Sequence, residues 1–240
     1  MQLFYSSNIQ KPKLFLSLEE TNHAKNVLRL KEASLVNVVD GKGILYQCIV
    51  TSLKGKEAEL EILSSAESIP KHPYYLHIAI APTKNIDRIE WFVEKAVEIG
   101  IDEISFIQSE RSERKHINVE RMDKIAIAAM KQSIKAFIPK INEMQSLTNF
   151  NSNFQLSTIN YQLYIAHLED NRKLLFDQIR LPNQPANYLI LVGPEGDFSP
   201  NEIALCVKNG FQPVSLGSSR LRTETAGIVA CSTINISTII

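Results

Sequence analysis

Two loops near the end of the chain hold the residues best placed to do chemistry: GPEGDFSPNE, residues 193–202, and LGSSRLRTETAG, residues 216–227. Each follows a short apolar segment, YLILV and QPVS respectively. In open α/β sheets, ligands sit beyond the carboxyl ends of strands. Gly193 and Gly196 permit close backbone approach, and Pro194 stiffens the turn between them. Neither GxxxxGK[ST] nor GxGxxG occurs, and carboxylates at Glu195 and Asp197 repel phosphate. A cationic ligand suits the first loop better, as does an adenosine held by backbone groups and hydroxyl–carboxylate bonds. Taken alone, GPEG reads equally well as a tight strand-to-helix turn, and the second loop as an ordinary capped helix start.

The elements around these loops follow from periodicity. Residues 1 to about 70 read as β-rich: SLVNVVDG, GILYQCIVTSL and KEAELEIL alternate or run apolar between glycine turns, with one short helix from near Thr21. That suggests a small barrel, and SSAESIPKHP (64–73) reads as a linker. Strands then alternate with longer helices, the pattern of an α/β sheet. LHIAIA, DEISFIQ, YQLYIAH, YLILVGP and QPVSLG read as strands. Asn85 caps a helix whose apolar face is Ile89, Phe92, Val93, Ala96 and Val97, ended by Gly100. NVERMDKIAIAAMKQSIKAF reads as a long amphipathic helix, NRKLLFDQI as a shorter one, and ETAGIVACSTINISTII as the last. Ser199-Pro200-Asn201-Glu202 is a capping box with proline at the first helical position, closed by Gly210.

Composition limits the classes available. The 26 basic and 26 acidic residues cancel, so nucleic-acid binding would have to come from local patches. The three cysteines, Cys48, Cys206 and Cys231, are dispersed and form no CxxC pair, and the five histidines show no metal-ligand spacing. Reduced thiols, no metal, no membrane span and a cytoplasmic location are the expectations.

GPEG followed by LGxxxLRTETAG resembles the SPOUT superfamily of trefoil-knotted methyltransferases. Within it the chain is similar to the RsmE family, which methylates N3 of a uridine in small-subunit (16S) ribosomal RNA. The similarity extends to HAKNVLR (23–29), like the HxxxVLR signature of that family's small PUA-like barrel. It also takes in Lys84, Arg88, Lys95, Glu98–Gly100, Ser109–Ser112 and Gln132–Ser133. The chain departs from the family pattern at Asp197, where glycine is usual, and at Ser219 and Lys135, where arginine is usual.

The resemblance implies a PUA-like β-barrel RNA-binding domain over 1–70 and a knotted α/β methyltransferase domain over 71–240. It further implies S-adenosylmethionine as cofactor, 16S rRNA or the 30S subunit as partner, and a homodimer. His167, Leu191, Val192, Gly193, Glu195, Gly196, Leu216, Gly217, Leu221, Arg222, Thr223, Thr225 and Ala226 are then the expected cofactor-binding residues. Arg222 is expected to stabilise charge on the uracil carbonyls and Glu224 to act as base or as helix cap. Arg29, Lys31, Lys84, Arg88, Arg111, Arg114, Lys131 and Lys135 are the expected RNA contacts. The competing readings are a non-catalytic RNA-binding or ribosome-assembly factor that keeps the fold, and an enzyme acting on a small adenosine-containing ligand.

Overall fold

The computed structural model describes residues 3–67, 71–155, 160–169, 172–179 and 186–239. Its contacts divide the chain into two units, one of residues 1–71 with 127–138, the other of residues 72–126 with 139–240. The first takes in a segment, 127–138, that the sequence reading placed with the second.

In the first unit, strands β1 (Leu3–Tyr5), β2 (Asn8–Gln10) and β3 (Lys13–Phe15) precede helix α1 (Leu18–Asn22), which runs on into a π-helical turn, His23–Val27. Strands β4 (Leu35–Val39), β5 (Ile44–Ser52) and β6 (Glu59–Glu67) follow. The sheet order is β1-β4-β5-β6-β3-β2. β1 and β2 are joined by two residues yet lie at opposite ends of the ladder, so the sheet must curl until its ends meet, as in a small barrel. Phe4, Leu14, Leu16, Val38, Cys48, Val50 and Leu60 fill its core. The strands β1 to β3 escaped the sequence reading because three residues are too few to show alternation. Ser64–Glu67, assigned to a linker, belong to β6: they pair with β5 although their side chains are exposed. The linker's residues 68–70 lie outside the described residues.

The second unit is built on a seven-stranded sheet. Its elements are β7 (Tyr74–Ile80), α2 (Ile86–Ile99), β8 (Glu103–Gln108), the part of α3 (Val119–Gln132) up to residue 126, β9 (Lys140–Ser146), α4 (Leu147–Gln155), β10 (Tyr161–Ala166), β11 (Lys173–Leu174), α5 (Leu175–Gln178), β12 (Ala186–Val192), α6 (Pro200–Lys208), β13 (Gln212–Ser215) and α7 (Thr223–Ile239). All its strand pairs are parallel, in the order β11-β13-β10-β12-β7-β8-β9. Parallel strands covered on both faces need continuous apolar sequence, and β7 and β12 have it. Ala79, Leu189, Leu191, Phe198, Ile203 and Phe211 pack together on one face. By the period-2 alternation of the strand, Ile78 and Ile80 face the other side, where α7 and Phe92 of α2 lie against Ile80. β9 and α4 were not read from sequence: KINEMQS sits at the sheet edge, half-buried, and carries no apolar alternation. The helix expected over 118–137 stops at Gln132, short of Pro139.

A polar network is buried at the amino-terminal ends of β7, β8 and β9, the ends away from the two sequence-marked loops. Glu103 accepts hydrogen bonds from Tyr75 Oη (2.7 Å), Lys140 Nζ (2.9 Å) and Asn142 Nδ2 (2.6 Å). His77 Nε2 lies 2.8 Å from Ser105 Oγ, and its Nδ1 lies 3.8 Å from the Glu103 carboxylate. Burial pushes the His77 imidazole down to about 4, and it is therefore neutral at pH 7. Burial alone would raise the Glu103 carboxyl, but His77 and the three donors outweigh it and hold the group well below the usual carboxylate range. With His77 neutral, the three hydrogen bonds stabilise the carboxylate.

Both shifts act in one direction. The unfolded chain takes up the His77 proton first, so stability falls as pH drops from 6.5 towards about 4. The Glu103 contribution, present above 4.5, is lost below that. Unfolding free energies from urea titrations should therefore decline on acidification, by roughly 2 kcal/mol from His77 alone between pH 7 and pH 5. His77→Gln should flatten that part of the curve; an unchanged pH profile in the variant would sink the assignment.

Candidate cofactor pocket

The carboxyl ends of β10, β12 and β13 converge on one cavity of about 250 Å³. Three backbone segments line it: 166–168 after β10, 192–197 after β12 and 214–223 after β13, with Arg172 and Ala226 completing the wall. Both sequence-marked loops thus open into the same space, which neither loop's own sequence reveals.

Local chemistry fixes each segment. Ser199 and Glu202 form the expected capping box, with Ser199 N donating to Glu202 Oε2 at 2.9 Å and Glu202 N to Ser199 Oγ at 3.3 Å. The other Glu202 oxygen accepts from Glu110 N at 2.8 Å, tying the start of α6 to the loop after β8. Arg111 donates to Gly196 O at 2.8 Å, Arg114 Nε to Thr83 O at 2.9 Å, and Lys84 N to Glu195 Oε1 at 3.2 Å. The loops beyond β7, β8 and β12 are therefore bound to one another. After β13, Ala226 N donates to Arg222 O at 2.8 Å, the first turn of α7.

Most of the expected cofactor residues line the cavity: His167, Val192, Gly193, Glu195, Leu216, Gly217, Leu221, Arg222, Thr223 and Ala226. Leu191, Gly196 and Thr225 are not among its lining residues. Leu191 points from β12 into the core beneath α6, and Gly196 is turned against the Arg111 side chain. Sequence reasoning missed Ala166, Leu168, Arg172, Asp197, Val214, Ser215, Ser219 and Arg220 as lining residues. Arg172 gave no signal at all. Arg220 and Asp197 stood inside the marked loops but were not assigned to the cavity.

Glu224, expected as base or helix cap, is not among the cavity-lining residues; it is buried in the first turn of α7 with Oε1 3.8 Å from Arg88 Nε. Helix geometry turns it towards α2 while Arg222, two residues earlier, stays on the cavity side. The expected RNA contacts divide in the same way. Arg111 and Arg114 are held by backbone carbonyls, Lys84 pairs with Glu113 at 3.0 Å, Lys131 pairs with Glu20, and Arg88 faces Glu224. Arg29 and Lys31 are exposed and Lys135 is half-buried.

The electrostatics suit a ligand of mixed charge. Glu195 and Asp197 line the cavity together with Arg172, Arg220 and Arg222, and apolar Ala166, Leu168, Val192, Val214, Leu216 and Leu221 separate them. His167 is buried, and burial lowers its imidazole below the ordinary histidine range, against the opposing pull of Asp197. Its Nδ1 accepts from Glu169 N at 3.2 Å, so the neutral ring carries its hydrogen on Nε2. That Nε2 is buried and has no hydrogen-bond partner among the described residues. An unpaired buried donor in a pocket wall calls for an acceptor. Among the described residues there is no cluster able to hold a metal ion, and no helix long and apolar enough to cross a membrane.

Residues 70–235 match the RNA methyltransferase domain family and residues 17–63 the RNA methyltransferase PUA domain family. The chain is 30% identical over 236 residues to ribosomal RNA small subunit methyltransferase E of Mesomycoplasma hyopneumoniae, covering 95% of this chain and 96% of that one. The chain belongs to the ribosomal RNA small subunit methyltransferase E family. Members of known structure agree with this. The chain superimposes on ribosomal RNA small subunit methyltransferase E from Neisseria gonorrhoeae, solved bound to S-adenosyl methionine, with a TM-score of 0.84, 26% identity and coverage of 99% and 98% of the two chains. A candidate rRNA methyltransferase from Porphyromonas gingivalis gives a TM-score of 0.87 at 37% identity, covering 100% and 99%. The two loop signatures sit on two of the three cavity-lining segments, and two departures from the family pattern, Asp197 and Ser219, line the cavity itself.

Proposed function

We propose that this chain methylates N3 of a specific uridine in 16S ribosomal RNA, using S-adenosylmethionine bound in the cavity at the carboxyl ends of β10, β12 and β13. The observation that carries the reading is the convergence of both family loops on one cavity whose lining alternates carboxylates, guanidinium groups and apolar side chains. S-Adenosylmethionine has that same mixture: a sulfonium, an ammonium, a carboxylate and a flat apolar-faced base. Backbone groups of 192–195, 216–217 and 221 would hold adenine and ribose, and the His167 Nε2–H, unpaired among the described residues, would donate to an acceptor of the cofactor.

The cofactor supplies an electrophilic methyl group. The chain's own residues must hold the uracil in line and offset the negative charge that grows on it as the N3 proton leaves. Arg222, which with Arg220 is exposed on the cavity wall, is suited to the second task. Glu224, turned to Arg88, serves instead to hold α2 and α7 in register. RNA contacts fall to the exposed Arg29 and Lys31.

Two features of the family are proposed with it. The chain end forms a trefoil knot: β13 lies between β10 and β11, two strands consecutive in the chain, so their connection must cross over it. Trp91 of α2 and Ile236 of α7 leave large apolar surface exposed on neighbouring helices, which favours a C2 dimer. The deciding experiment supplies labelled S-adenosylmethionine with 30S subunits, followed by nucleoside analysis. The expected result is 3-methyluridine at a single position, from a protein that sediments as a dimer. Cofactor binding without transfer would favour the assembly-factor reading, and label on another atom would displace the N3 assignment.

A further inference from the structure

We propose that Asp197 is a positioning residue that preorganises the cofactor wall formed by His167, Leu168 and Glu169. The inference rests on the reading that this cavity takes S-adenosylmethionine. Asp197 has φ +61°, a region that L-residues other than glycine, asparagine and aspartate avoid. Its conformation is held from three sides. Asp197 N donates to Pro194 O at 3.0 Å, closing the turn, and Oδ1 accepts from Phe198 N at 2.9 Å. Oδ2 reaches across to a different strand end and accepts from Leu168 N at 2.8 Å. The last bond links residues 29 apart in sequence, and both partners line the cavity.

The wall so fixed carries its own bonds. Arg172 Nη1 donates to His167 O at 2.7 Å, and Glu169 N donates to His167 Nδ1 at 3.2 Å. The Asp197 carboxylate thus sets the backbone at Leu168, and that backbone in turn sets the His167 ring, whose Nε2–H has no partner among the described residues. A wall held in place before binding leaves less ordering to be done by the ligand, so the effect belongs in cofactor affinity rather than in the methyl-transfer step.

The test uses the full chain and S-adenosylmethionine itself. Asp197→Gly keeps the turn's backbone freedom but removes the carboxylate; Asp197→Asn keeps left-handed tolerance and one acceptor oxygen. Loss of one charge-assisted bond should raise the Kd for S-adenosylmethionine about tenfold in Asp197→Gly, with Asp197→Asn between it and the parent. KM for the cofactor should rise in parallel, the loss appearing there and not in kcat on 30S subunits. A Kd within about twofold of the parent in a folded Asp197→Gly protein overturns the proposal. So does a fall in kcat with KM unchanged, which would move Asp197 into the chemical step. A parent protein that binds no S-adenosylmethionine would instead overturn the reading of the cavity.

Discussion

Arg222→Ala is expected to slow methyl transfer by about 10²–10³-fold while leaving S-adenosylmethionine affinity much less affected. The expectation follows from where the side chain sits and from what N3 chemistry requires. A uridine nitrogen that carries a proton cannot attack until that proton is weakened or removed, and the charge then spreads onto the uracil carbonyl oxygens. Arg222 lines the cavity and is exposed to it, so the guanidinium is available to oxygens of a bound base. The backbone of the same residue is engaged by α7, so the anchor does not move when the side chain is cut. Arg222→Lys should fall between, because a lysine keeps the charge but not the forked geometry. Single-turnover transfer to 30S subunits, set beside calorimetric cofactor titration, separates the two effects. Equal losses in rate and in affinity would overturn the role.

Gly227→Ala should destabilise the protein by about 1–2 kcal/mol even though alanine is the better helix former. Gly227 lies in the first turns of α7, where an added Cβ would come within 2.5 and 2.7 Å of the Phe92 ring and 3.3 Å of Ile80 Cδ1. Phe92 is fully buried, so its ring cannot swing out of the way. The propensity gain of about 1 kcal/mol is therefore outweighed by overpacking between α2 and α7. A fall in Tm of a few degrees should result, with weaker cofactor binding because the neighbouring Ala226 lines the cavity. Phe92→Leu in the same chain should recover part of the loss, since the two positions share one contact. A variant as stable as the parent would show that the two helices yield, and would remove glycine's packing role.

The sequence revealed more of the second unit than of the first. Long buried strands and amphipathic helices announce themselves by period: the Asn85 cap, the apolar face from Ile89 to Val97 and the Ser199–Glu202 capping box all stand as read. Three-residue strands such as β1 to β3, and the half-buried edge strand β9, carry too little burial to leave a pattern. The basic residues were the least legible. Arg111 and Arg114 have the composition of an RNA contact, yet their guanidinium groups are held by carbonyls of distant loops. Charge is written in the sequence; its partner across 30 or 85 residues is not.

GPEG and LRTETAG remain the centre of the protein, and the sequence by itself determined that each follows a strand and belongs to a recognisable family pattern, and that the first disfavours phosphate. Local rules suffice for that, because turns, caps and strand ends are set by near neighbours. Only the tertiary structure decided that the two loops share one cavity with His167, Leu168 and Arg172, and that Asp197 pins that wall. It also decided that Glu224 faces Arg88 rather than the cavity. Those outcomes depend on strand order, which sets β13 beside β10, and on the direction in which each helix turn presents its side chains. No spacing along the chain encodes either one.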